Sequence, residues 1–119
     1  MLFRSITKSV TIEGNEISNC QYGIFVGNEV VGYAGNVDIV TTIEGNTIFN
    51  NSTAGSLSSG AIILTDEGKD VGSSVNATIH NNTIYNNGDY GILINTDGNG
   101  DISATIDRKS TRLNSSHRL

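Results

Sequence analysis

Ile12-Glu13-Gly14-Asn15-Glu16-Ile17-Ser18-Asn19, Ile43-Glu44-Gly45-Asn46-Thr47-Ile48-Phe49-Asn50 and Ile79-His80-Asn81-Asn82-Thr83-Ile84-Tyr85-Asn86 are one phrase written three times. In each, Asn follows the first Ile by three residues, a second Ile follows by two, and a second Asn by two more. Self-similarity at this scale in a short chain marks a repeat architecture, in which each repeat is one unit that buries its apolar face only against its neighbours. The anchors Ile12, Ile43, Ile79 and Ile106 stand 31, 36 and 27 residues apart. Constant phrases at variable spacing place the length differences in side loops, one per repeat.

Each repeat divides into three short strands. The first are Val10-Thr11-Ile12, Thr41-Thr42-Ile43 and Ala77-Thr78-Ile79. Strand alternation puts Val10/Thr41/Ala77 and Ile12/Ile43/Ile79 on the inner face, and Thr11/Thr42/Thr78 on the outer one. The second strands centre on Ile17, Ile48 and Ile84. The third follow a glycine: Gly23-Ile24-Phe25-Val26, Gly60-Ala61-Ile62-Ile63 and Gly91-Ile92-Leu93-Ile94. This alignment sets Phe25/Ile62/Leu93 outward, an apolar face that residues 29–36 and 52–59 are long enough to cover. A fourth repeat opens at Ile102-Ser103-Ala104-Thr105-Ile106.

Three strands per repeat, with Gly/Asn corners between them, describe one coil of a parallel β-helix, its coils about 4.8 Å apart. Asn15/Asn46/Asn82 form a corner column whose side-chain amides bond up and down the stack, as Asn ladders do in stacked strands. The corner Gly14 and Gly45 become Asn81 in the third repeat, and Asn is the usual substitute where φ is positive.

The pattern Ile-x-Gly/Asn-Asn-x-Ile-x-Asn, followed by Gly-Ile-x-Val, resembles the right-handed parallel β-helix repeat of the pectin-lyase-like superfamily. That repeat occurs in pectate-lyase-like enzymes, in periplasmic NosD-like proteins and in many bacterial surface proteins. The resemblance covers residues 10–106. It implies an all-β fold, a right-handed parallel β-helix (solenoid) of about three complete rungs plus a partial fourth. A left-handed β-helix would need a strict hexapeptide period, and an antiparallel sandwich would not require identical phrases. The scaffold carries unrelated activities, so function has to be read from sites.

Composition agrees with strands and tight turns. Proline and tryptophan are absent, and Gly and Asn, which tolerate positive φ, stand between runs of Ile, Val and Thr. The formal charge of −5 argues against nucleic acid, whose binders carry basic patches. A single cysteine, Cys20, excludes an internal disulfide. No apolar run approaches the length of a membrane span.

The last stretch changes character. Through Ile106 the basic residues are Arg4, Lys8 and Lys69; Arg108, Lys109, Arg112 and Arg118 then arrive together. Asp107-Arg108-Lys109-Ser110-Thr111-Arg112-Leu113-Asn114-Ser115-Ser116-His117 resembles, residue for residue, the conceptual translation of a common sequencing adapter. Residues 1–106 are therefore expected to be the β-helix repeat segment, and 107–119 a non-native or disordered tail. Without residues 107–119, eleven acidic residues face three basic ones, a charge of −8. Three rungs span only about 15 Å, and neither end reads as a polar cap, so the chain is expected to be an internal fragment whose partner is the continuation of the same β-helix.

Several residues invite a functional reading. Glu13/Glu44/His80 form an outward column; two neighbouring carboxylates would sit about 5 Å apart, within the range of retaining glycosidases. The plainer reading is a solvated charge column partly neutralised by His80. Asn95-Thr96-Asp97-Gly98-Asn99-Gly100-Asp101 resembles the front of a calcium loop, but the closing glutamate would fall at Ile106, so the EF-hand pattern fails. Asp66-Glu67-Gly68-Lys69-Asp70 is a weaker case. Ser18/Phe49/Tyr85 form an outward column in which Phe49 and Tyr85 stack on each other or on a sugar ring, and Tyr22 and Tyr90 precede the corner glycines. Asn50, Asn51, Asn76 and Asn81 begin Asn-x-Ser/Thr sequons.

A lyase of the pectate type would need a basic proton abstractor beside calcium-binding carboxylates. Arg4, Lys8 and Lys69 stand in no repeat column next to an Asp cluster. No catalytic, cofactor-binding or metal-binding residue is therefore assigned, and no cofactor is expected. The expected role is a β-helix scaffold presenting a structural or binding surface, with polysaccharide as its partner. The alternative is part of a polysaccharide-degrading hydrolase or lyase. A NosD-like role in metal-enzyme maturation rests on fold resemblance alone. Extracellular, cell-surface or periplasmic placement follows from the resemblance, with no nucleic-acid partner and no membrane span.

Overall fold

The computed structural model describes residues 6–28, 37–51, 60–66, 73–88, 90–96, 101–107 and 111–113, with the backbone alone for 111–113. These residues form strands and no helix: β1 (Ile6–Glu13), β2 (Glu16–Ser18), β3 (Ile24–Asn28), β4 (Val37–Glu44), β5 (Thr47–Phe49), β6 (Gly60–Asp66), β7 (Ser74–His80), β8 (Thr83–Tyr85), β9 (Tyr90–Thr96), β10 (Asp101–Ile106) and β11 (Thr111–Leu113). They make three sheets, β1-β4-β7-β10, β2-β5-β8-β11 and β3-β6-β9, and every pairing is parallel. The chain thus visits the first, second and third sheets in turn and returns to the first one ladder step farther on.

The register expected from the repeated phrase is the one observed. Val10 pairs with Thr41, Thr41 with Ala77 and Ala77 with Ala104; Ile12, Ile43, Ile79 and Ile106 line up in the same way. In the second sheet Ile17, Ile48 and Ile84 are in register. The first-sheet strands are longer than three residues, since β1 and β4 each run for eight. The repeat of Asp101–Ile106 pairs with β7, and the backbone of Thr111–Leu113 pairs with β8.

The third sheet corrects one alignment. Phe25 pairs with Ile63, not Ile62, and Ile63 pairs with Leu93. Ile62 belongs to the inner column Ile24/Ile62/Ile92, where it is fully buried. The shared glycine misled the alignment, because Gly60 pairs with Tyr90 and so falls one residue ahead of Gly91. The true outward column is Phe25/Ile63/Leu93; Phe25 is 49% exposed, whereas Ile63 is only 4% exposed. Residues 29–36 and 52–59, named above as its covers, lie outside the described residues.

The core is the stack of inward aliphatics from all three sheets, with Ile43, Ile48, Ile62, Leu64, Ile79 and Ile84 its most deeply buried side chains. Burying an Ile or Leu of this kind contributes about 1.5–3 kcal/mol each. The core thins towards β1, an edge strand of the first sheet among the described residues. Val10, an inner-column residue, is 46% exposed there.

The corners repeat a two-residue device. A residue with positive φ comes first: Gly14 (66°), Gly45 (64°) or Asn81 (58°) between the first and second sheets. Asn15, Asn46 or Asn82 then follows, and Asn46 and Asn82 are buried. The same device closes the next corner, with Asn19, Asn50 and Asn86 at φ 58°, 55° and 52°, followed by Cys20, Asn51 and Asn87.

Candidate functional site

On the outer face of the first sheet, Glu13 stands beside Glu44 and Glu44 beside His80. Alternation on β1, β4 and β7 aims all three away from the isoleucine core, as the sequence implied. His80 Nε2 lies 2.8 Å from Glu44 Oε2, both side chains about one-third exposed. The other ring nitrogen, Nδ1, lies 3.3 Å from Asn81 Nδ2. The imidazole thus stands between the Glu44 carboxylate and the Asn81 side-chain amide. Below it, Asp107 donates its backbone N–H to Ile79 O at 3.1 Å, and its Oδ1 accepts from the Asn81 N–H at 3.3 Å.

The arrangement limits the chemistry. Both nitrogens of His80 have a neighbour within hydrogen-bond distance, Glu44 on one side and Asn81 on the other. Glu44 accepts from the imidazole, and Glu13 is exposed. An acid/base pair would need its two carboxyls in contrasting environments. Here both stand on an open outer face, which fits the solvated charge column better than a catalytic pair.

The aromatic column is also assembled. Ser18, Phe49 and Tyr85 are in register, and the Phe49 and Tyr85 rings stack with centroids 5.1 Å apart and planes 5° apart. Each ring therefore covers one face of the other, and Ser18 leaves the far side of Phe49 next to a small residue. Tyr22 packs on Phe25 at 5.8 Å and 51°. Tyr90 pairs with Gly60.

Other candidates separate. Among the described residues no group of three or more His, Cys, Asp or Glu could hold a metal ion. Residues 97–100 and 67–70, the middle of the two acidic loops, lie outside the described residues, as do Arg4 and Lys69. Asp66 is fully buried at the end of β6, in register with Asn28 and Thr96. Of the sequon asparagines, Asn50, Asn76 and Asn81 are exposed, but Asn51 is fully buried, so that sequon is closed in the folded chain. Cys20 is exposed and free.

The second Asn ladder escaped sequence reading. Asn51 N–H and Nδ2 donate to Asn87 Oδ1 at 3.1 and 3.0 Å, and the Cys20 N–H donates to Asn51 Oδ1 at 3.0 Å. Its signal was the doublet Asn50-Asn51 and Asn86-Asn87, which copies Asn81-Asn82. The repeated phrase ends one residue too early to include it.

No known protein family, curated protein or solved structure matches the chain. Among the described residues no helix is long and apolar enough to cross a membrane.

Proposed function

We propose that the chain forms a right-handed parallel β-helix that serves as a scaffold and binds polysaccharide on an outer sheet face, outside the cell or in the periplasm. Three parallel sheets visited in strict rotation support the coil. The hand follows from the near-universal right-handedness of parallel crossovers within one sheet. The observation that carries the binding reading is the outer face of the first sheet. Thr11, Thr42, Thr78 and Thr105 are in register there, next to the Glu13/Glu44/His80 column. One hydroxyl per rung, repeating at about the strand spacing, is a linear polar array that suits a polymer of repeating hydroxyls. The acidic neighbours favour a neutral polymer over an anionic one.

Affinity electrophoresis of the full chain through gels containing neutral or acidic polysaccharides tests this reading. Retardation by a neutral polymer is expected, and it should weaken when Thr42 and Thr78 are both replaced by Lys. Equal mobility in every gel would remove the proposal.

The enzyme reading rests on a different observation, the in-register placement of Glu13 and Glu44. Replacing both with Gln leaves sugar cleavage unchanged if the column is only a charge column. Loss of a cleavage activity shown by the unaltered chain would favour the hydrolase.

A further inference from the structure

The outer column of the second sheet changes size at one step. Ser18, Phe49 and Tyr85 are in register, so their side chains leave the same face one rung apart. Phe49 and Tyr85 lie flat on each other, with centroids 5.1 Å apart and planes 5° apart. That spacing is close to the strand spacing of about 4.8 Å, so each ring stands level with its own rung. One rung on from Phe49 the same position holds Ser18, whose side chain is far shorter. Tyr85 covers one face of Phe49 and, among the described residues, no ring covers the other. The gap beyond Ser18 is one ring thick and opens sideways from the outer face of β2. Its entrance does not depend on where the coil stops.

The rim of this gap carries oxygen. Glu16 and Ser18 both point outward on β2, since Ile17 between them packs on the core. Glu16 is exposed. Ser18 Oγ accepts from Asn19 Nδ2 at 3.4 Å, which leaves its own hydrogen to donate. Thr47, in register with Glu16, adds a half-exposed hydroxyl on the same outer face as Phe49. An aromatic face beside a carboxylate acceptor and a hydroxyl donor suits a ring that is apolar on its faces and hydroxylated round its edge. A pyranose with equatorial hydroxyls is such a ring. Its axial C–H bonds point at the negative face of the aromatic, and its hydroxyls lie in the ring plane. An aromatic side chain would match Phe49 but offer Glu16 and Ser18 nothing, and an acidic sugar would be repelled by Glu16.

We infer that this gap is a saccharide subsite. One neutral pyranose with equatorial hydroxyls stacks on the uncovered face of Phe49, level with Ser18, and hydrogen-bonds to Glu16 and the Ser18 hydroxyl. Phe49 is the platform, Tyr85 holds it flat, and Glu16 selects against acidic sugars. The subsite rests on the polysaccharide reading for its class of ligand, but it lies on a different sheet from the threonine column.

The probe is cellotetraose, a neutral oligosaccharide of such rings, titrated into the full chain and followed by proton NMR. Upfield ring-current shifts of its C–H protons are expected, with saturation passing to them from phenylalanine ring protons. Phe49→Ala should weaken binding by about tenfold, the scale of one aromatic stacking contact. Ser18→Phe separates binding from folding, because it fills the gap with the chain's own ring. Binding should be lost in that variant while the melting temperature holds or rises. Glu16→Gln should weaken cellotetraose about fivefold, as the loss of a charged acceptor would. A chain with Thr42→Lys and Thr78→Lys should still bind cellotetraose at this site. No binding of cellotetraose, or binding unchanged by Ser18→Phe, would overturn the subsite. Loss in the double-lysine chain alone would overturn it too, and would leave the threonine reading standing.

Discussion

Asn46 grips Asn82 twice, its backbone N–H and its side-chain Nδ2 both donating to the one Asn82 Oδ1 at 2.9 Å. A single side-chain oxygen thereby satisfies a corner backbone group and a side-chain amide in a site shielded from water. Buried polar groups are costly when unmet, so the ladder is a requirement of closing the corner, and each Asn depends on its neighbours.

Asn46→Ala should therefore destabilise the fold by about 2–4 kcal/mol, because it leaves the Asn15 N–H and Ile12 O without their partners. Asn15→Ala should cost less than about 1.5 kcal/mol, since its upper side is already exposed to solvent. Urea unfolding of both variants provides the check. Equal costs would mean that the ladder is ornament on a corner held by other forces.

Cys20 is where the second ladder stops. Its N–H donates to Asn51 Oδ1, but its thiol gives that oxygen nothing and lies 3.3 Å from Ser18 O. Asn87 shows the complete pattern, with Nδ2 donating to Tyr85 O at 3.1 Å and to Ile48 O at 2.9 Å. Cys20→Asn restores the amide, and a gain of about 0.5–1 kcal/mol is expected on an exposed corner. Thermal unfolding under reducing conditions, compared with Cys20→Ser, separates the amide from simple removal of sulfur. If Asn and Ser behave alike, the ladder has no end effect.

Gly45 and Gly23 differ in what they protect. Gly45 has φ +64° and open space, its added Cβ meeting nothing nearer than Gly14 N at 3.9 Å. Gly45→Ala should cost about 1–2 kcal/mol of backbone strain, and Gly45→Asn much less, as Asn81 at the same corner indicates. Gly23 faces the opposite case, where an added Cβ would overlap the backbone carbonyl oxygen of Ala61. Gly23→Ala forces β3 away from β6, and a loss larger than that of Gly45→Ala is expected. Circular dichroism with denaturant titration would expose a reversed order.

The first and second sheets were legible because their inward residues repeat as the same type. Ile12/Ile43/Ile79 and Ile17/Ile48/Ile84 fix both period and face. The third sheet was not, because a corner glycine is a conformational marker that can shift by a residue, whereas a buried isoleucine cannot shift without turning outward. Gly60 moved one place and carried Ile62 to the wrong face. The Glu13/Glu44/His80 column was legible as a juxtaposition, but not the seating of His80 between Glu44 and Asn81, which depends on side-chain directions. That Lys8 is one charge in an aliphatic column shows only once Ile39, Val75 and Ile102 are aligned with it.

Thr41 is the one polar residue in a column with Val10, Ala77 and Ala104, and its Oγ1 is buried without a hydrogen-bond partner. A hydroxyl in that state costs free energy that an isosteric methyl does not, so Thr41→Val is expected to stabilise the fold by about 1 kcal/mol. Thr42→Val one residue later is the control. Thr42 points to the outer face, where its hydroxyl is half-exposed, and the same change should be close to neutral there. Paired urea titrations decide between the two sites. A loss at position 41 would show that its hydroxyl has a partner inside the stack.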